Sequence, residues 1–113
     1  MKIWVDDVRP MPKGYDLHIK SVNDAIEIIG YIEAKQHQRI DLLDLDHDAG
    51  DYYDQGGDYI RILDWMEFEG INDIPISIHS GNPVGIRNMQ RIIQKNGWKY
   101  VFAADENPCD IIM

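Results

Sequence analysis

The chain has 113 residues, of which 44% are hydrophobic and 27% are charged, and these values are typical of one soluble globular domain with a single core. Its 20 acidic and 11 basic residues give a formal net charge of −9, which argues against a surface that binds long nucleic acids or an anionic membrane. A lone cysteine, Cys109, excludes an internal disulfide, and no segment has the length of a targeting sequence or a membrane span, so we expect one cytoplasmic domain over residues 1–113.

The first half of the chain alternates extended and helical segments. Pro10 and Pro12 prevent a regular helix directly after the first apolar run. Ser21 can cap a helix, with Asp24 at the third position of a capping box, and isoleucines then recur at helical spacing. The predicted elements are strands over 2–5, 15–21 and 40–46 and a helix from 22 to about 36.

The second half continues the same alternation. Asn82 followed by Pro83 indicates the cap and first turn of a helix, and Asn96 followed by Gly97 indicates its end. Strands that alternate with helices predict a parallel sheet with crossover connections. The predicted elements are helices over 58–69 and from 82 to about 96 and strands over 74–80 and 98–104.

Polar side chains follow three of these strands, at the point where each strand ends. Because the carboxyl ends of parallel strands meet at one edge of the sheet, we expect these side chains to converge there. That edge is where open α/β sheets bind ligands. In chain order the residues are Asp6 and Asp7, then Asp46, His47 and Asp48, then His79 and Ser80.

The three aspartates Asp6, Asp7 and Asp46 form a candidate metal site. Clustered carboxylates repel one another unless a cation compensates their charge or one of them is protonated. Oxygen ligands favour Mg²⁺, Mn²⁺ or Ca²⁺ over zinc, although two nearby imidazoles would also suit a transition metal. We expect a divalent cofactor, Mg²⁺ or Mn²⁺; the alternative is a solvated acidic loop.

Two histidines are candidate acid–base catalysts. His47 and His79 lie at the ends of strands expected to be neighbours, and an imidazole can donate or accept a proton near neutral pH. With Asp46 they form the predicted catalytic group, and which histidine acts as acid is left open. The alternatives are binding or metal ligands, or a structural role, which we expect for His18 and His37.

Three further residues are candidates for binding phosphate. Asn82 and Ser80 precede a helix whose amino terminus favours anions. Arg9, just beyond the first aspartates, can bind a phosphate through two N–H groups, or else pair with a surface aspartate. The loop 49–58 carries tyrosines that can stack on a base or pack over the sheet.

The order of the elements, together with Asp6-Asp7 and the strand over 40–46, resembles the receiver domains of bacterial response regulators over nearly the whole chain. The resemblance implies a flavodoxin-like, doubly wound, three-layer fold with a five-stranded parallel sheet. In this chain we expect the first helix to be reduced and the final helix to be missing.

The receiver resemblance also implies roles for single residues. Asp46 stands at the phosphoacceptor position, Asp48 where a backbone carbonyl reaches magnesium, and Ser80 at the position of the family's serine or threonine. The lysine that receivers carry at the end of the fifth strand is replaced here by Ala103 and Ala104.

The motifs DDVRP, DLDHDAG and HSGNPVG, each at a predicted strand end, resemble a receiver-like family named for cyclic-phosphate processing. That resemblance implies action on cyclic nucleotides in bacterial or phage conflict signalling.

We therefore expect a phosphoesterase that acts on a small anionic cyclic nucleotide or related cyclic phosphate. Two alternatives remain open: a module that sequesters the cyclic nucleotide without cutting it, and a receiver phosphorylated on Asp46. The apolar tail of Ile111, Ile112 and Met113 is a candidate contact for a homodimer.

Overall fold

A computed structural model describes residues 1–36 and 38–102. These residues form a parallel sheet flanked by helices, the arrangement of an α/β domain. Among them, no helix combines the length and the apolar character that crossing a bilayer demands. The strands are β1 (Lys2–Val5), β2 (Leu17–Ile19), β3 (Leu42–Leu45) and β4 (Ile76–Ile78); the helices are α1 (Val22–Lys35), α2 (Ile60–Glu69) and α3 (Pro83–Asn96), with a 3₁₀ helix at Gly50–Tyr52.

The strands lie side by side in the order β2-β1-β3-β4, and each neighbouring pair is parallel. The order reverses at β1, so the crevice at the carboxyl ends of β1 and β3 is where doubly wound sheets bind ligands. Val5 pairs with Leu45, and the two strands therefore end level with each other. Asp6 and Asp46 are the next residues on these strands, which places both at the crevice.

One face of the sheet packs against the helices. Ile3, Leu43 and Ile76 point to this face and are fully buried. They belong to one core cluster that includes residues of all three described helices, and α2 contacts both α1 and α3. The described helices therefore form a single layer on this face.

The opposite face of the sheet carries aromatic and polar side chains. Trp4, Asp44 and Ser77 lie on it and are only 7%, 6% and 2% exposed. The loop between β1 and β2 covers part of this face: the ring of Tyr15 meets Trp4 edge-on, with centroids 5.3 Å apart, and its hydroxyl donates a hydrogen bond to Asp44. A buried carboxyl group in the middle of a strand is costly without such partners.

The helix ends follow the predicted signals. Ser21 Oγ accepts the N–H of Asp24 at 3.1 Å, and Asn82 Oδ1 accepts the N–H of Gly85 at 3.0 Å. Helix α3 ends at Gly97, which has the left-handed φ of 68°. The cap at Asn82 starts α3 directly beyond β4 and brings its first turn to the carboxyl edge of the sheet.

The predicted α/β class with a parallel sheet is confirmed, and the order of the strands is consistent with a receiver-like fold. The predicted strand 2–5 matches β1, but those predicted over 15–21, 40–46 and 74–80 are longer than the observed strands. Residues that flank these strands still make backbone hydrogen bonds to the neighbouring strand, as Asp46 N–H does to Val5 O at 2.9 Å and His79 N–H to Leu45 O at 2.8 Å, but they lie outside the regular ladder. Residues 6–16, all within the described part, contain no helix, as the sequence predicts.

The five-stranded and three-layer descriptions are not confirmed. At the outer edge of β4, residues 98–102 of the predicted fifth strand form one isolated parallel bridge, between Ile76 and Tyr100, and the rest of that predicted strand lies outside the described residues. The helices within the described residues pack on one face of the sheet. Ala103, Ala104 and the tail proposed for dimer contact lie outside the described residues, as does His37.

Candidate functional site

The three aspartates predicted to bind metal come together at the β1–β3 crevice. Asp6, Asp7 and Asp46 each offer a carboxylate oxygen, and these oxygens all lie within 4.8 Å of one another. Asp6 is fully buried and Asp46 is 8% exposed. Gly50 makes room for the third carboxylate, since a Cβ there would lie 2.1 Å from Asp7 Oδ2. The oxygen donors and their spacing fit a hard divalent cation.

Asp6 is the most firmly held of the three aspartates. Its Oδ1 accepts the backbone N–H groups of Val8 at 2.9 Å and Arg9 at 2.7 Å, and its Oδ2 lies 2.9 Å from His79 Nε2. Burial opposes ionisation of this carboxyl group, but the hydrogen bonds from Arg9, Val8 and His79 outweigh it and hold its pKa below the ordinary value. Asp6 is therefore a carboxylate at neutral pH.

Asp46 lies in the opposite electrostatic situation. Its Oδ1 accepts the backbone N–H of His47 at 2.8 Å. Burial raises its pKa above the ordinary value, and the negative charge of Asp6 adds to that rise, although the His47 N–H and the charges of His79 and Arg9 oppose it. A cation between Asp6 and Asp46 would remove the repulsion that the pair bears without one.

His79 is clamped between two carboxyl groups. Its Nδ1 lies 2.7 Å from Asp44 Oδ1, and its Nε2 contacts Asp6. The ring stacks on the indole of Trp4 with centroids 3.6 Å apart and planes 6° from parallel. The side chain is 12% exposed, so both ring nitrogens and one ring face are occupied by protein.

His47 lies against the first turn of α3. Its Nδ1 is 2.9 Å from Asp48 Oδ1 and 3.5 Å from the side-chain nitrogen of Asn82. A Cβ on Gly85 would fall 2.4 Å from His47 Cγ, so this contact requires glycine. His47, Asp48 and Asp58 also bring metal-binding atoms within 4.8 Å of one another. Within the described residues, His47 Nε2 makes no hydrogen bond.

The residues predicted to bind phosphate surround the same edge and already make local contacts. Arg9 Nη1 donates to the backbone oxygen of His79 at 2.9 Å, which holds the guanidinium near the crevice. Ser80 Oγ accepts the N–H of Asn82 at 3.1 Å, and Asn82 caps α3 through Gly85. The structure thus brings Arg9 to the aspartates and Asn82 to His47, while Ser80 shapes the turn between them.

Three further residues belong to this site and were not predicted from the sequence: Trp4, Tyr15 and Asp44. Trp4 and Asp44 hold His79, and Tyr15 holds Asp44. One signal was present in the sequence, because an aspartate in the middle of the apolar run Leu42–Leu45 cannot be buried without a partner. The identity of its partners depends on the path of the loop before β2, which no local pattern predicts.

The model of the Cyclic-phosphate processing Receiver domain family matches residues 1–95, a span that includes the three motifs, the three aspartates and both histidines of the site. The chain belongs to this family. No curated protein and no solved structure matches the chain. The family's description links this receiver domain to cyclic-phosphate processing, and the resemblance drawn from its motifs is confirmed.

The contact between Gly85 and His47 in this receiver domain gives a test with a clear sign. Replacing a helical glycine by alanine ordinarily stabilises a protein by roughly 0.5–1 kcal/mol. At Gly85 the added methyl group overlaps the imidazole, so we expect Gly85→Ala to lower the free energy of unfolding measured with urea. Gly30→Ala in α1 is the matched control, because its nearest contact would be 3.5 Å, to Trp65. Equal stabilisation by both substitutions would contradict the described position of His47.

The burial of Asp46, together with its repulsion by Asp6, predicts the effect of Asp46→Asn. The raised pKa means that the folded state disfavours the ionised form, so stability is lost as pH rises through this titration. Asparagine removes the charge and keeps an oxygen for the His47 N–H. We expect the variant to melt at a higher temperature than wild type in chelator at pH 7.

Metal ions should reverse this order. We expect Mg²⁺ or Mn²⁺ to raise the melting temperature of the wild type. At a hundredfold excess of the ion over its Kd, the free energy of unfolding should rise by about 2.7 kcal/mol. The exposed Asp54→Asn variant should respond like wild type and Asp46→Asn should not. An equal response of Asp46→Asn would show that the ion binds elsewhere.

Proposed function

We propose that this receiver domain is a metal-dependent phosphoesterase that opens a cyclic nucleotide or related cyclic phosphate. The observation that carries the proposal is the meeting of three carboxylates with the His79 imidazole and the Arg9 guanidinium at the switch point of the sheet. Carboxylates alone would repel a phosphate, so this combination is useful only if a cation lies between them and the ligand.

Asp6, Asp7 and Asp46 would hold the divalent ion. Such an ion supplies Lewis-acid stabilisation of the charge that develops on the phosphoryl group. Asp6 enters this role as a carboxylate with fixed orientation, because backbone N–H groups hold one of its oxygens. Arg9, tied to the backbone of His79 at the crevice, would orient a phosphate oxygen, with Asn82 at the start of α3.

Proton transfer is assigned first to His47. Asp48 contacts Nδ1 of this ring and Gly85 packs against it, which orients Nε2 without occupying it. A ring nitrogen in this state can take a proton from the attacking group or give one to the leaving oxygen. Both ring nitrogens of His79 contact carboxyl groups, so no ring nitrogen of His79 is left to exchange a proton with a ligand.

A cavity lined in part by Asp58, a neighbour of His47, favours a nucleotide over a simpler cyclic phosphate. It has a volume of about 470 Å³ and is lined by Tyr53, Gly56, Gly57, Asp58, Ile60 and Arg61. Asp58 connects it to the site, since its carboxylate oxygen is within 4.8 Å of a His47 ring nitrogen. The ring of Tyr53, 62% exposed, provides a surface on which a base can stack.

Backbone and side-chain hydrogen bonds hold the loop that lines this cavity. Asn23 N–H donates to Gln55 O at 3.0 Å, Gly57 N–H donates to Tyr53 O at 2.8 Å, and Asp58 Oδ1 accepts the Ala49 N–H at 3.0 Å. The loop is thereby attached to the start of α1 and to itself, so the cavity exists before any ligand binds.

The proposal is tested by incubating purified protein with cyclic mono-, di- and oligonucleotides in Mg²⁺, in Mn²⁺ and in chelator, followed by mass spectrometry of ligand and protein. We expect one cyclic species to be converted to a linear product in metal only. His47→Gln should lower the rate by roughly 10²–10⁴-fold, the contribution typical of general acid–base catalysis.

Other outcomes of that experiment identify the alternatives. If a ligand returns intact but remains bound to the protein, including the His47→Gln variant, the domain is a sequestering module. A parallel incubation with a small phosphodonor tests the second alternative: if no cyclic species is opened and Asp46 gains a phosphoryl group, the domain is a signalling receiver. Either result would overturn the phosphoesterase.

The role of Tyr53 is tested by substitution. Tyr53→Ala should weaken binding of a cyclic mononucleotide by about 1–3 kcal/mol, since stacking on the ring is lost. Tyr31→Ala is a matched control, because Tyr31 is 63% exposed and lies on α1. Titration calorimetry with a base-free ribose cyclic phosphate should not distinguish Tyr53→Ala from wild type. If it does, the ring does not contact the base.

A further inference from the structure

Asp44 is an unusual residue for its position. It lies in the middle of β3, in the central part of the sheet, and is 6% exposed. Burying a carboxylate there is costly unless it is paired and hydrogen-bonded. A hydrophobic residue would fit the strand at no such cost. The partners of Asp44 therefore show what the charge is for.

Asp44 connects Tyr15 to the proposed metal site through His79. Tyr15 donates its hydroxyl to Asp44 Oδ2, Asp44 Oδ1 contacts His79 Nδ1 at 2.7 Å, and His79 Nε2 contacts Asp6 Oδ2 at 2.9 Å. Trp4 stacks on the imidazole and also contacts the ring of Tyr15. All members of this Tyr15–Asp44–His79–Asp6 chain are buried or half-buried.

We propose that Tyr15, Trp4 and Asp44 are positioning residues that hold His79, and that His79 in turn fixes the orientation of the Asp6 carboxylate for the metal ion. His79 then serves the site without exchanging a proton with substrate. This inference rests on the proposed function for the identity of the ion, and it revises the catalytic role that the sequence predicts for His79.

The geometry of Asp6 explains why such a chain is needed. The N–H groups of Val8 and Arg9 hold Oδ1, but they do not contact Oδ2, so the carboxylate can still tilt about the anchored oxygen. The contact of Oδ2 with His79 removes that freedom. His79 can provide it because Asp44 fixes its second nitrogen and Trp4 its plane.

Residues that hydrogen-bond to metal ligands affect how tightly the metal binds. Groups that orient the direct ligands typically change metal affinity by 10–100-fold when they are removed. A proton-transfer residue behaves differently, because its loss lowers kcat while leaving metal affinity unchanged. The two roles are therefore separable by measuring metal binding alone.

The experiment is a titration of Mn²⁺ into wild type, Tyr15→Phe, Asp44→Asn and His79→Gln, by calorimetry and by the electron paramagnetic resonance of free Mn²⁺. We expect Kd to rise about 10–100-fold in His79→Gln and Asp44→Asn, and several-fold in Tyr15→Phe. Tyr31→Phe, which removes an exposed hydroxyl, should leave Kd unchanged. Tyr15→Phe removes only the hydroxyl and keeps the ring contact with Trp4. It therefore remains informative if Asp44→Asn fails to fold.

A second measurement does not depend on metal. In metal-free protein, the ring resonances of His79 followed by NMR should shift in Tyr15→Phe and should not shift in Tyr31→Phe. Unchanged Mn²⁺ affinity in folded His79→Gln and Tyr15→Phe, together with a lower kcat in His79→Gln, would overturn the positioning role and restore His79 as a catalyst.

The failure of the proposed function looks different. If wild type binds no Mn²⁺, the metal assignment fails and with it the purpose given to the chain, whether or not the His79 resonances shift. If wild type binds Mn²⁺ but opens no cyclic phosphate, the phosphoesterase fails while the positioning role is judged on Kd alone.

Discussion

The site depends on one buried charge. Asp6 is fully inaccessible to solvent, yet its surroundings hold its pKa below the ordinary value, because backbone N–H groups and an imidazole replace the water it has lost. A carboxylate kept ionised in this way cannot lower its energy by taking up a proton. It remains a fixed negative charge at the switch point of the sheet. The pKa of the nearby Asp46 is raised above its ordinary value, because that group is buried and lies beside the negative charge of Asp6.

The two faces of the sheet divide the work of the domain. The face that packs against α1, α2 and α3 supplies the apolar core, with residues such as Ile3 and Leu43 fully buried. The other face supplies Trp4 and Asp44, and both contact His79, which lies at the crevice. A receiver-type sheet covered by helices on both faces would have an apolar layer there. The reduced connection between β1 and β2 is what lets a tyrosine from a loop contact the middle of the sheet.

Much of this arrangement could be predicted from the amino-acid sequence, and the reasons are physical. The alternation of apolar runs and capped helices predicts parallel strands, and parallel strands bring Asp6 and Asp46 to one edge. The caps at Ser21 and Asn82 are local hydrogen bonds, so short motifs predict them well. Contacts across the fold could not be predicted in this way. The packing of His47 on Gly85 joins residues 38 positions apart, and no local preference encodes such a meeting.

Role assignment was limited for the same reason. The pattern places His47 and His79 at equivalent strand ends and treats them alike. Their surroundings differ because His79 follows β4 and turns towards the face that carries Asp44, whereas His47 lies against the first turn of α3. His47 keeps one ring nitrogen without a hydrogen bond within the described residues, whereas both ring nitrogens of His79 have partners. This difference depends on the neighbouring strands and on the loop before β2, so it cannot be predicted from the local sequence.

The stacking of Trp4 on His79 also makes the domain its own optical reporter. An indole whose plane lies 6° from that of an imidazole senses any change in that ring. The chain has three tryptophans, and Trp65 and Trp98 lie on the helical side and near the outer edge of the sheet, so they supply a constant background. Intrinsic emission from this protein therefore carries a signal from the crevice, and occupation of the site can be followed without attaching a dye.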